Sequence, residues 1–177
     1  MEIRGDSYIV NSMINSTYNA IRVDEGNLTI SGGTISADIG YAVKNNSTGT
    51  VTINGGKITM RGGPGVGVGV YNASTGTVNI SGGTISAAYT VQNASAGTVN
   101  ISGGILSSAD HAVYNASTGT VNISGGTMTS TGSKTTIYGL SSGGTINISG
   151  GEISASKGSV INSPGKVIIS APMKITK

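Results

Sequence analysis

The chain contains no cysteine, no phenylalanine and no tryptophan, and only three prolines among its 177 residues. The lack of cysteine rules out a disulfide framework, a thiolate nucleophile and thiolate metal ligation. Without Phe or Trp the common aromatic anchors are missing, so a core has to be filled by Val, Ile and Ala. Charge is sparse as well: 10% of residues, seven acids against ten Lys and Arg, and a formal net charge of +3. The basic residues are scattered (Arg4, Arg22, Lys44, Lys57, Arg61, Lys134), with a mild cluster at Lys166, Lys174 and Lys177. Nucleic-acid readers concentrate such charge in a stripe, so no nucleic-acid partner is expected. The opening residues, MEIRGDSYIV, lack a basic stretch followed by a long apolar core, and so do not read as a secretion signal. No run approaches the roughly 18 to 20 apolar residues of a membrane span, and no membrane insertion is expected. If the natural protein is exported, the chain is expected to be a mature piece or an excised fragment.

What the chain has in abundance is glycine, 30 residues, and repetition. NASTGTVNISGGT runs from Asn72 to Thr84 and again from Asn115 to Thr127, with NASAGTVNISGG between them. The glycine pairs Gly32-Gly33, Gly55-Gly56, Gly82-Gly83, Gly103-Gly104, Gly125-Gly126 and Gly150-Gly151 are spaced by 23, 27, 21, 22 and 25 residues. A unit of about 22 residues belongs to solenoids, in which no repeat buries its apolar face without its neighbours. Periodic apolar residues also set the chain apart from a flexible Gly/Ser linker.

Inside a unit the period is two. TVNIS places Val78 and Ile80 on one side and Thr77, Asn79 and Ser81 on the other. TIS around Ile85 follows the same rule, and a third segment reads YAVKN at Tyr41, YTVQN at Tyr89 and HAVYN at His111. Glycine pairs and β-branched residues throughout each unit oppose a helical repeat. The expectation is an all-β, right-handed, single-stranded parallel β-helix of about seven coils, each with three short strands. The handedness follows the crossover preference of parallel strands. Residues 1–18 lack the glycine pair and are expected to form an N-terminal cap, 19–170 the array, and 171–177 a C-terminal tail or cap, with Pro172 opposing further pairing.

Stacking puts identical positions above one another. One inner column is expected to contain Ile30, Ile53, Ile80, Ile101, Ile123 and Ile148, and another Ile21, Val43, Val70, Val91, Val113, Ile137 and Val160. The glycine pair suits a corner needing positive φ or close backbone approach. At another corner Asn45, Asn72, Asn93, Asn115 and Asn162 are expected to form an amide ladder.

GTVNISGGTIS, with YAV or AVYN farther on, resembles the Gly/Ser/Thr/Asn-rich repeats of bacterial cell-surface parallel β-helix proteins, the adhesin-like and pectate-lyase-like group, over about residues 19 to 170. The resemblance implies right-handed coiling, an extracellular or cell-surface location and a stalk or adhesin-like role. That group also includes polysaccharide lyases, hydrolases and phage spikes, so activity does not follow from it. A structural, adhesin-like module is the expectation. A carbohydrate-binding or polysaccharide-degrading β-helix is the alternative, followed by an ice-binding or phage tail-spike segment.

Catalytic signals are thin. Glycosidic cleavage generally uses two carboxyl groups roughly 5 to 9.5 Å apart, and the seven acids (Glu2, Asp6, Asp24, Glu25, Asp38, Asp110, Glu152) form no ladder when aligned by coil. His111 beside Asp110 takes the place of Tyr41 and Tyr89, and reads as a wall residue rather than a base or metal ligand. No catalytic residue, metal or cofactor is expected. The RGD at Arg4 to Asp6 is too short to specify integrin binding, and the N-x-S/T matches are repeat letters inside strands. Outward rows are expected at Thr50, Thr77, Thr98, Thr120 and Thr145, beside Thr52, Asn79, Asn100, Asn122 and Asn147, keeping the solenoid soluble. The candidate ligand surface is a third outward row, Tyr71, Tyr114 and Tyr138 with Lys44 and Gln92, whose rings suit stacking on a polysaccharide or cell-surface glycan. A monomer is favoured. The insertions RGGPGVGVG (Arg61 to Gly69) and STGSKTT (Ser130 to Thr136) are expected to bulge from one corner as variable loops.

Overall fold

The computed structural model describes residues 1–63, 66–171 and 173–177. These residues form strands and turns without a helix, and every strand pair is parallel. Three strands make a coil with a first, second and third face, and the coils stack into a parallel β-solenoid. The second face is an eight-stranded sheet: Ser7–Ile9, Leu28–Ile30, Thr50–Ile53, Thr77–Ile80, Thr98–Ile101, Thr120–Ile123, Thr145–Ile148 and Lys166–Ile169. The first and third faces belong to one fourteen-stranded sheet. They are joined because Thr84–Asn93 and Ile105–Asn115 each carry the third face of one coil around the corner into the first face of the next. Eight coils at a strand spacing of about 4.8 Å make a rod roughly 40 Å long.

The coil count is eight rather than seven because residues 1–18 are built as a coil. Glu2–Arg4, Ser7–Ile9 and Met13–Ser16 pair in register with the second coil, and Ile3 and Ile9 are buried. A Cβ on Gly32, Gly55, Gly82, Gly103 or Gly125 would collide with the carbonyl of Val10, Ser31, Asn54, Ser81 or Ser102 in the coil beneath. The second glycine of each pair has φ between +81° and +97°, a region open to glycine at little cost. In the first coil Val10 and Ser12 stand beneath the Gly32-Gly33 corner and offer it their carbonyls. At the far end, Lys174–Thr176 pairs with Glu152–Ala155 as the third face of the eighth coil. Pro172 lies outside the described residues.

The core is the set of inner columns. Val51, Val78, Val99 and Val121 lie in one, and Ile30, Ile53, Ile80, Ile101, Ile123 and Ile148 in the next, all at 0 or 1% exposure. Full burial of each such side chain contributes about 1.5 to 3 kcal/mol, spread evenly along the axis. The column of Ile21, Val43, Val70, Val91, Val113 and Ile137 also forms, but it ends on Ile161, not on Val160. Only five positions separate Ile161 from Lys166, against seven from Val113 to Thr120, so the last corner is tighter and the register moves by one.

The same shift removes Asn162 from the ladder. It is exposed and pairs with Tyr138, while Gly139 stands over Asn115. The other four asparagines are buried and linked: Asn45 Nδ2 donates to Asn72 Oδ1 (3.0 Å), Asn72 to Asn93 (3.0 Å) and Asn93 to Asn115 (3.2 Å). The second amide hydrogens of Asn72 and Asn93 go to the carbonyls of Gly76 and Gly97, and Asn115, at the end of the ladder, donates to the carbonyl of Gly119, all at 2.8 to 3.0 Å. A buried amide with its donors satisfied fixes the corner and avoids the cost of an unpaired polar group.

Candidate functional site

The outward row on the first face is in register as Lys44, Tyr71, Gln92, Tyr114 and Tyr138, one residue per coil. Simple alternation would send the residues two places earlier inward with Val43, Val91 and Val113. Instead Ala42-Val43, Thr90-Val91 and Ala112-Val113 are consecutive buried residues, which turns Tyr41, Tyr89 and His111 toward the row. These three join the strip and were not part of the expected site. The signal was present in the sequence as a small residue, Ala or Thr, next to the inward Val.

The result is an aromatic strip in two groups. Tyr41 and Tyr71 stack at 4.3 Å between centroids with planes 29° apart, and Lys44 Nζ lies 5.4 and 5.9 Å from their centroids. Farther along, His111 stacks on Tyr138 at 4.8 Å and 12°, and Tyr89 and Tyr114 complete the group at 5.5 to 5.9 Å. Tilted and offset pairs at such distances contribute about 0.5 to 1.5 kcal/mol each beyond area burial. Gln92 lies between the groups. The strip presents half-exposed rings with polar tips, a chemistry suited to the C–H faces and hydroxyls of sugars.

Burial acts on the ionisable rings of the strip. Burial pushes the phenols of Tyr71, Tyr89 and Tyr114 above their ordinary range, with Tyr41 adding to the effect at Tyr71 and Asp110 at Tyr89. His111 is 8% exposed. Burial holds its pKa below the usual value, against the opposing effects of its Thr135 carbonyl contact and Asp110, while Lys134 acts with burial. The ring is therefore neutral at neutral pH, with Nδ1–H donating to the Thr135 carbonyl. His111 is held as a wall residue.

Elsewhere, five of the seven acids are engaged with bases or amides. Glu2 bonds Arg4 and Arg22, Asp24 bonds Arg22, Asp38 bonds Arg61, and Glu152 bonds Lys174 at 2.6 to 3.2 Å. Asp6 accepts from both the backbone and the side-chain nitrogen of Asn27 at 2.9 Å, so the RGD triplet lies along a strand and its corner with both charged ends occupied. Among the described residues no three His, Asp or Glu side chains gather as a metal-binding group.

On the second face the expected Thr and Asn rows are in register. The Asn row is a second amide ladder: Asn147 donates to Asn122, Asn122 to Asn100 and Asn100 to Asn79 at 2.7 to 2.8 Å. Its amides are thus partly engaged with one another. The two insertions leave the same corner, between the third face of one coil and the first face of the next; Pro64 and Gly65 within the first lie outside the described residues. Between them the continuous strands floor a shallow depression of about 310 Å3 bordered by Met60, Arg61, Ser86, Ala88, Ser107 and Thr131.

Comparison of the chain with protein-family models, characterised proteins and solved structures gives no match. Architecture and site therefore rest on the residues themselves.

Proposed function

We propose that the chain is a structural, adhesin-like module of a bacterial surface or secreted protein, a rigid monomeric stalk that holds a lateral recognition surface away from its base. The observation that carries this reading is the stacking: inner columns and backbone bonds continue from coil to coil, and the buried Asn ladder ties together the four middle coils from Asn45 to Asn115. A rod of this kind resists bending because any bend must separate several parallel ladders at once. The likeness of the repeats to those of cell-surface β-helix proteins supports an extracellular place.

The aromatic strip favours a second, finer reading, in which the stalk binds a polysaccharide or cell-surface glycan along its first face. In this reading no bond is broken: four of the seven acids are held in ion pairs along the rod, and Glu2 and Asp24, two carboxylates that approach one another, share the Arg22 guanidinium. The test is to incubate the purified chain with bacterial, plant and host polysaccharides and to record both retention and new reducing or unsaturated ends. Retention without cleavage fits a binding module, and neither signal fits a plain stalk. Cleavage that survives further purification would overturn the structural reading.

A further inference from the structure

We infer that Asn54 is a site of spontaneous deamidation, a slow modification encoded in the chain that places a new carboxylate on a corner of the third coil. Asn54-Gly55 is the single Asn-Gly pair in the sequence, and glycine offers no Cβ to hinder approach of its nitrogen to the preceding amide carbon.

The structure separates Asn54 from the other asparagines. Asn72 and Asn93 have both amide hydrogens engaged in the buried ladder, Asn115 donates to the Gly119 carbonyl and accepts from Asn93, and the outward Asn79, Asn100, Asn122 and Asn147 are linked to one another. Asn54 follows Ile53 as Ser31 follows Ile30 and Ser81 follows Ile80, so the coils above and below offer it no amide. Its side chain is exposed. Among the described residues that side chain makes no hydrogen bond. The backbone nitrogens of Asn54 and Lys57 donate to Ile30 and Gly33, whereas among the described residues that of Gly55 has no acceptor. Nucleophile and electrophile are adjacent and unbound, on an exposed asparagine and a half-buried glycine.

The step needs only water. Gly55 N loses its proton to solvent and attacks Asn54 Cγ; the N–Cγ bond forms, the Cγ–Nδ2 bond breaks and Nδ2 leaves as ammonia, giving a cyclic imide. Water then opens the ring at Cγ to give aspartate, or at the main-chain carbonyl to give isoaspartate. Either product lowers the net charge of +3 by one. Isoaspartate also adds a methylene to the main chain at a corner without slack, since Gly55 packs on the Ser31 carbonyl and Gly82 on that of Asn54. The isoaspartyl form is therefore the less stable of the two.

The intact chain is aged in mildly alkaline buffer, resolved by ion exchange and digested with trypsin, and the peptide of residues 45–57 is sequenced by fragmentation. The expected result is an acidic satellite peak and a gain of one mass unit at Asn54, ahead of any change at the exposed Asn162-Ser163. Asn54→Ser, the residue used at this corner by neighbouring coils, abolishes the satellite. Asn54 left intact while the same peptide converts in urea would overturn the inference, as would conversion at Asn162 first.

Discussion

Replacing Asn93 by alanine removes the centre of the buried ladder, and the structure gives its cost. Three hydrogen bonds disappear: from Asn72 Nδ2 (3.0 Å), to Asn115 Oδ1 (3.2 Å) and to the Gly97 carbonyl (2.9 Å). At a net value of about 1 kcal/mol each, with orphaned buried groups costing more than exposed ones, the loss is about 3 kcal/mol. For a chain of this size 1 kcal/mol shifts Tm by roughly 2 to 4 °C, so Asn93→Ala is expected to melt roughly 6 to 12 °C lower. Circular dichroism melts and urea titrations measure it. Asn100→Ala is the control: it also loses two ladder bonds, but on a half-exposed face where water replaces them, and it is expected to cost about 1 kcal/mol or less. Equal melting of the two variants, or Asn93→Ala indistinguishable from the parent chain, would refute the buried-ladder reasoning.

Other perturbations test separate parts of the account. Gly83→Ala forces a side chain into φ +81° and is expected to cost about 1 to 2 kcal/mol in a urea titration from backbone strain alone. His111 has a depressed pKa in the fold, so the unfolded chain takes up a proton near pH 6.5 before the folded chain does. Its contribution to stability is complete above that pH and is lost as pH falls through the folded value; His111→Phe is expected to flatten this part of the Tm-against-pH curve. The triple variant Tyr71→Ala, Tyr114→Ala, Tyr138→Ala is expected to keep the β-sheet spectrum and to lose polysaccharide retention in an affinity column or pull-down. Undiminished retention would place the binding surface elsewhere.

The parts of the fold legible in the sequence are those where stacking repeats one environment. Val78 and Ile80 alternate with Thr77 and Asn79 because one side faces a closed core, and Gly82-Gly83 recurs because each corner rests on the one beneath. The first coil was hidden because Val10, Asn11 and Ser12 stand where later coils carry the glycine pair. Asn162 was misplaced because letters were aligned where the corner length had changed. In the site, the Tyr71, Tyr114 and Tyr138 row followed from period two. Tyr41, Tyr89 and His111 did not, because two successive buried residues, Ala or Thr and then Val, interrupt that period. The outward Asn ladder was visible as a row, but nothing in single letters shows which amides turn toward one another.

The central claim, that each repeat forms one coil of a stiff, in-register rod, is tested most directly by a distance. The chain has no native cysteine, so Thr29→Cys and Ile168→Cys introduce a unique pair for nitroxide labels on one outward column, linked through Thr52, Asn79, Asn100, Asn122 and Asn147. Six strand spacings of about 4.8 Å place the two backbones about 29 Å apart. Double electron–electron resonance is expected to give a single narrow distribution near that value. A broad distribution, or a distance that departs from it by more than the reach of the labels, would contradict the account.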